Sequence, residues 1–464
     1  MNNIDQNKNS VLPDEFVALV KDALPVQAEK LLDSVQNDPP SLSIRLNPHK
    51  TATSYYSSDP VGWCPYGRYL DERPVFTLDP VFQAGGYYVQ EASSMVLFNV
   101  LSQLQLPDSP TVLDLCAAPG GKSTLLLDFL DGKGHLVANE VIKSRSAVLV
   151  DNLVKWGYAN CCVTNNDPMD FTQLENHFDL ILVDAPCSGE GMFRKDKSAI
   201  EEWSPDNVAL CSGRQQRIID DILPALKEGG YLIYSTCTFN QKENMNNVSD
   251  FMAKYNLITV EVQLQSYWNI LELSRKNAKG YQCMPGFTRG EGYFFSVFRK
   301  PMGNNDATFK QGKAHKLRTI NNTEKSILDT WINPDYLPEV QIHENGDVYY
   351  FPASLSPFLP LYLKLFHVKY AGIKLGKLNK TVFTPEHSAA LTHLPLLKSP
   401  RVELSKEDAL RYLNKTLSQV NHPQNSWMVV TYQNLGLGWI KNLGNRINNY
   451  LPGHLRIQMD IGIK

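Results

Sequence analysis

The sequence has no apolar run approaching the ~20 residues that a membrane span requires, and its opening stretch, MNNIDQNKNSVLPDEF, contains no hydrophobic signal core. Neither a membrane protein nor a secreted one is expected, and the cytoplasm is the expected location. The eight cysteines are scattered. None forms a CxxC pair, and no Cys/His group has zinc spacing, so neither a disulfide framework nor a metal site is expected. Internal repeats and low-complexity segments are also missing. What remains is an ordinary globular composition, 43% hydrophobic and 20% charged. At 464 residues it is too long for one core, so two or three domains are expected.

The net charge of -3 conceals an asymmetry. Residues 371–464 carry 12 Lys and Arg against 5 Asp and Glu, whereas residues 1–300 carry 26 against 36. A basic end on an acidic body suits a polyanionic partner, because phosphate contacts draw on Lys and Arg. The plainer reading is a solvated basic surface.

Between residues 111 and 240, β-rich runs alternate with helical ones. TVLDLCA, HLVANE, CCVTNND, FDLILVDAP and YLIYSTC read as strands. GKSTLLLDFL and SRSAVLVDNLVKWG read as helices, the second closed by Gly157. The pattern predicts a parallel α/β sheet covered on both faces. In such sheets ligands bind beyond the carboxyl ends of the strands. Asp114, Cys116, Glu140, Asp167, Asp184, Cys187 and Cys237 all fall there.

DLCAAPGGKST (114–124) is a glycine turn between strand and helix, but neither GxxxxGK[ST] nor GxGxxG. Glu140 closes the next strand, at the distance from which a carboxylate reaches ribose hydroxyls, and Asp167 closes the one after. Such a loop, without a pyrophosphate cradle, points to an adenosine-bearing cofactor, and S-adenosyl-L-methionine fits. Cys161, Cys162 and Cys211 are read as small buried hydrophobes. Cys187 and Cys237 differ, because both end strands on the cofactor edge. A thiolate is a strong nucleophile. Cytosine C5 cannot take a methyl group unaided, but thiolate addition at C6 makes C5 nucleophilic. A second group must then help release the adduct, so two cysteines beside a methyl donor divide the work. Asn240 and Glu243 have capping-box spacing, which predicts a helix just after Cys237 whose N-terminal field favours its thiolate. No histidine lies nearby in sequence to act as a base.

CAAPGGKST, VDAPCSGEG and YSTCTFNQKEN together resemble the Nol1/Nop2/Sun (Fmu) family of RNA 5-methylcytosine methyltransferases. LSIRLNP, YYVQEASSM and RGEGYFFSVFRK resemble further parts of that family. KYAGIKLGKL and GLGWIKNLGNRINNYLP are similar to the PUA-like tail of its bacterial 16S ribosomal RNA (RsmF/YebU-like) branch. Gly286 and Phe287 stand where a more basic run is expected. The resemblance implies a Rossmann-like S-adenosylmethionine-dependent methyltransferase domain at 109–300, preceded by an N-terminal RNA-binding region (1–108). A linker (301–316) and a C-terminal PUA-like α+β RNA-binding region (317–464) follow. It implies Cys237 as the nucleophile, Cys187 as the residue that helps release the adduct, and Asp184 as the partner of the cytosine N3/N4 edge. Cofactor contacts would come from Cys116, Ala117, Ala118, Pro119, Gly120, Gly121, Lys122, Glu140, Asp167 and Asp184. Arg145 is either a support of that site or a helix-surface charge. Arg45, Lys122, Trp439 and Lys441 are candidate RNA contacts. The implied partner is ribosomal RNA in the small ribosomal subunit, met by a monomer at an unpaired or flipped-out cytidine. Transfer RNA methylation, DNA cytosine methylation and a non-catalytic ribosome-assembly factor are the competing readings. In the DNA enzymes the Pro-Cys cysteine, here Cys187, would be the attacking one.

Overall fold

The structure, a computed structural model, describes residues 12–50, 55, 57–303 and 317–462. Residues 304–316, most of the expected linker, lie outside the described residues. Two short helices, Asp14–Ala23 and Ala28–Asn37, precede a small antiparallel sheet of β1 (Ser43–Leu46), β2 (Gly67–Tyr69) and β3 (Tyr87–Val89), ordered β2-β1-β3.

The large sheet follows. Its parallel strands are β4 (Thr111–Asp114), β5 (His135–Asn139), β6 (Cys161–Thr164), β7 (Phe178–Asp184) and β8 (Leu226–Thr236). Strands β4, β5 and β6 are buried at every position and β7 at most, which is why they read as near-continuous apolar runs. Helices Gly121–Leu130, Lys143–Trp156 and Pro205–Ile222 connect them. Gly157 closes the second at φ +94°, a conformation that strains any residue with a Cβ. The third opens on Ser204, whose hydroxyl accepts from the Asn207 N–H, with Pro205 in its first turn. Beyond β8 the sheet turns antiparallel. The short β9 (Ile258–Thr259) pairs with β12 (Tyr293–Arg299), and β10 (Leu271–Arg275) and β11 (Ala278–Cys283) complete that edge.

Region 317–464, expected as a small α+β domain, is built on two sheets. Strands β13 (Leu317–Thr319), β14 (Val340–His343) and β15 (Asp347–Tyr350) begin a five-stranded antiparallel sheet. The next strand, β16 (Val368–Ala371), leaves it and pairs antiparallel with β6, extending the catalytic sheet. Strands β17 (Ile373–Asn379) and β18 (Val382–Pro385) then return to the five-stranded sheet. A second sheet follows, of β19 (Arg401–Glu403), β20 (Trp427–Tyr432), β21 (Leu435–Asn442) and β22 (Ile447–Asn449). The excursion of β16 covers an edge of unpaired backbone groups on β6. Which edge a short strand covers is not written in its own apolar pattern. The N- and C-terminal regions also share a core, in which Ile44, Leu46, Val81 and Tyr87 pack with Leu404, Leu410, Met428 and Leu437.

Candidate active site

At the end of β4 the chain turns through residues 115–120 into the helix Gly121–Leu130. Gly120 sits at φ +113°, and the helix N-terminus opens at the carboxyl edge of the sheet. The loop is pinned from the neighbouring helix: Arg145 Nη2 donates to Ala118 O (2.7 Å) and Asn152 Nδ2 to Pro119 O (2.8 Å). Arg145 also lies 3.6 Å from Glu140 Oε2, so it supports this loop rather than merely solvating a helix. Glu140 is buried and accepts from the Ile142 N–H (2.9 Å). Asp167, half-exposed, accepts from the Met169 N–H (3.1 Å) and faces Arg217.

Beneath the loop, Asp114 is fully buried. One carboxylate oxygen accepts from Ser123 Oγ (2.6 Å) and the other has no hydrogen-bond partner. Burial raises its pKa to about 7 despite the Ser123 bond, and the charges of Asp184 and Glu140 add to the rise. Cys116 is pushed far above the thiol range by burial and then by the charges of Asp114, Asp184 and Glu140. This end of the sheet therefore gathers carboxylates, one with an unpartnered oxygen, together with Lys122 and Arg145. Exposed Val141, Ile142 and Met169 lie next to its carboxylates Glu140 and Asp167 in the chain. Carboxylate acceptors, the free N–H groups of the helix N-terminus and apolar neighbours in the chain suit a ligand with a positive sulfonium or ammonium, ribose hydroxyls and a flat base. S-adenosylmethionine meets that description.

The two sulfurs expected at this edge come together. Cys187 Sγ lies 3.0 Å from Cys237 Sγ and accepts from the Cys237 N–H at 3.3 Å. The Cys187 thiol is held well above its ordinary range by its hydrogen bond to Cys237, then by burial and by the negative charges of Cys237 and Glu243. Asp184, at the end of β7, accepts from Ser235 Oγ (2.8 Å) and from Lys122 Nζ (2.7 Å). Burial disfavours the Lys122 ammonium, but its pKa is raised overall by Asp184, Asp114 and the nearby Cys237. The ring of Tyr293, which the sequence did not single out, lies 5.4 Å from Lys122 Nζ. The helix expected just after Cys237 starts at Lys242 as a π-helical turn and becomes α-helical only at Asn247. Asn240 Oδ1 does accept from the Glu243 N–H (2.9 Å), but the Glu243 carboxylate turns to Ser188 instead of completing a capping box. Lys122, held on Asp184, is the cation whose charge interacts with Cys237, and the helix after Cys237 begins five residues on.

Two candidate RNA contacts are corrected. Arg45 is fully buried: it pairs with Asp128, donates to Gln90 Oε1 (2.7 Å) and Thr124 Oγ1 (2.5 Å), and lies over the Trp156 ring. Trp439 is also fully buried, its indole N–H donating to Glu386 O (2.8 Å). Neither can touch RNA. A positive charge or an aromatic ring in an amphipathic strand signals a polar partner, not whether that partner is solvent, RNA or the protein itself. Lys441 is half-buried beside the Trp427 ring, and Trp427 packs on exposed Tyr450.

Residues 101–299 match a family model described as 16S rRNA methyltransferase RsmB/F. Residues 12–92 match one for the N-terminal domain of 16S rRNA methyltransferase RsmF, and 399–457 one for a methyltransferase RsmF PUA domain. Similar proteins include the ribosomal RNA small subunit methyltransferase F of Shewanella piezotolerans, 31% identical over 91% of this chain and 92% of that one. The protein of the same name from Cronobacter sakazakii is 28% identical over 96% of each chain. Among solved structures, a methyltransferase homologue from Pyrococcus horikoshii is 25% identical, covering 62% of this chain and 95% of its own, with TM-score 0.53.

Proposed function

Because the chain belongs to the 16S rRNA methyltransferase RsmB/F family, we propose that it methylates C5 of a cytidine in small-subunit ribosomal RNA through a covalent bond to Cys237. S-adenosylmethionine, held by residues 116–122, Glu140, Asp167 and Asp184, supplies an electrophilic methyl group when bound. Cys237 Sγ bonds to C6 of the base, which delivers electron density to C5. Asp184 hydrogen-bonds the N3/N4 edge and supports protonation of the ring as the sulfur adds. Lys122 offsets negative charge at the sulfur and orients Asp184. Once C5 carries its new substituent, the C5 proton passes to water, its bonding pair restores the C5–C6 double bond, and the C6–S bond breaks with its electron pair returning to Cys237 Sγ. Cys187, a protonated thiol 3.0 Å away, donates to the departing sulfur. Half-buried Lys441 on β21 and exposed Tyr450 just past β22 offer a basic and an aromatic group at the C-terminal sheet, suited to RNA.

The observation that carries this reading is the pair of sulfurs at the ends of adjacent strands beside the Lys122–Asp184 pair. Cys237→Ala is expected to abolish methylation, whereas Cys187→Ala accumulates protein bound covalently to RNA, visible as a denaturation-resistant band on a gel. A Cys237→Ala protein that still methylates would remove the proposal. The reverse pattern would assign the attack to Cys187.

A further inference from the structure

Two buried carboxylates next to the cysteines have no part in the chemistry above. Glu190 lies three residues beyond Cys187 on the loop after β7, and Glu243 lies six beyond Cys237 on the segment after β8. Each reaches across to the other's loop. Glu190 Oε2 accepts from the backbone N–H groups of Phe239 (2.8 Å) and Asn240 (3.0 Å), directly downstream of Cys237. Glu243 accepts from the N–H of Ser188 (3.0 Å) and from its hydroxyl, at the residue after Cys187. Asn240 Nδ2 lies between the two acids, 2.9 Å from Glu190 Oε1 and 2.7 Å from Glu243 Oε1. Trp203 Nε1 and Gln215 Nε2 fill the remaining acceptor sites at 3.0 and 2.7 Å. One backbone bond joins the same two loops, Gly191 N–H to Cys237 O at 2.8 Å.

Both acids are essentially inaccessible, at 1% and 0% exposure, and among the described residues neither pairs with a lysine or arginine. Burying a carboxylate without a cation is costly, and a chain seeking stability alone would use apolar residues there. Such an arrangement makes physical sense if the direction of the bonds matters. Two short loops at the ends of parallel strands have no ladder between them past residues 184 and 235. A carboxylate that accepts two backbone N–H groups fixes the crossing loop in position and orientation.

We infer that Glu190 and Glu243 are positioning residues that cross-link the two cysteine loops and set the separation of the two sulfurs, an inference that rests on the two-cysteine reading above. Neither acid is among the residues proposed to hold the base or the cofactor, and the acceptor sites of both are taken by protein donors. Their effect is confined to steps that use the sulfurs, where a misplacement of about 1 Å costs on the order of 100-fold in rate.

The test uses the full chain carrying Glu190→Gln or Glu243→Gln. An amide at either position turns an N–H group toward donors that need an acceptor. Two readouts are taken on each folded variant. In methylation of small-subunit ribosomal RNA, kcat is expected to fall about 10- to 100-fold, with KM for RNA and Kd for S-adenosylmethionine within about threefold of the parent. The second readout needs no substrate: the pH dependence of iodoacetamide alkylation, followed at Cys187 by peptide mass. Loosening the pair weakens the bond that keeps this thiol protonated, so the Cys187 profile is expected to move to lower pH; Glu190→Gln and Ser188→Ala carry this readout, because Glu243→Gln also removes a charge that raises the same thiol. If the RNA chemistry is wrong, methylation fails in the parent too, while the alkylation profile still reports on the sulfur spacing. Ser188→Ala removes one donor to Glu243 and keeps the experiment decisive should a Gln variant fail to fold. Unchanged kcat and an unchanged Cys187 profile would overturn the inference, as would a loss of cofactor binding equal to the loss of rate.

Discussion

Asp184 serves two neighbours at once, with one oxygen on Ser235 and the other on Lys122. Its side chain is about one-third exposed, so it can exchange a partner for a substrate group without crossing the core. Asp184→Asn keeps the shape, loses the charge that holds Lys122 and, in the proposed mechanism, cannot support protonation of the ring. The expected outcome is a fall in kcat of about 100- to 10,000-fold with cofactor affinity changed less than tenfold, measured by methyl incorporation and calorimetry. At this scale the sequence was informative wherever chemistry is carried by residue type at a strand end: the positions of Asp184, Cys187 and Cys237 could be read from where apolar runs stop. A side chain's identity does not reveal its burial, which is why Arg45 and Trp439 read as surface contacts in the sequence and are interior in the fold. Glu190 and Glu243 went unnoticed as a pair, because their relation is a crossing of two loops, which no local spacing encodes.

The helix Gly121–Leu130 shows how an element inherits its place from distant residues. Its C-terminal half carries Asp128, which takes Arg45 from β1 and the indole N–H of Trp156 from the next helix (2.8 Å). Arg45 also reaches the carbonyl of Gly121 at the helix start (3.3 Å). One guanidinium therefore ties the N-terminal sheet to both ends of the helix that opens at the cofactor loop. Arg45→Met leaves Asp128 buried without its cation, a change that typically costs about 3–5 kcal/mol. Urea denaturation should show that loss, and cofactor affinity should weaken as the loop loses its anchor. A variant with parental stability would show that the ion pair contributes nothing net.

For the whole molecule, burial of histidines ties stability to pH. Nε2 of His135 and Nε2 of His177 lie 2.7 and 2.8 Å from the Tyr362 hydroxyl, which docks the helix Leu359–Leu365 onto the catalytic sheet. Burial lowers the pKa of each to about 3, and that of His387, at the catalytic–C-terminal junction, to about 4. The unfolded chain takes up protons below its ordinary value of about 6.5, whereas the folded chain resists until far lower pH. The histidine contribution is therefore complete above about pH 6.5 and declines as pH falls, by up to about 1.4 kcal/mol per pH unit for each histidine, outweighing the single opposing carboxyl of Asp114, whose pKa of about 7 favours the folded state as pH falls. Urea midpoints at pH 7.5 and 5.5 should show the decline, and Tyr362→Phe should lower stability at both by about 1–3 kcal/mol. A flat profile between those two pH values would contradict the buried neutral histidines.

By itself the sequence determined the alternation of strands and helices, the edge on which ligands gather and the residue types available there, because each depends on local periodicity and on where a run ends. The tertiary structure alone decided that β16 completes the catalytic sheet, that Arg45 and Trp439 are interior, that Lys122 pairs with Asp184 beside the cysteines, and that two carboxylates cross between the cysteine loops. Those facts are pairings between residues tens to hundreds of positions apart. Such pairings are selected by the joint burial of many surfaces, a quantity no short window of residues contains.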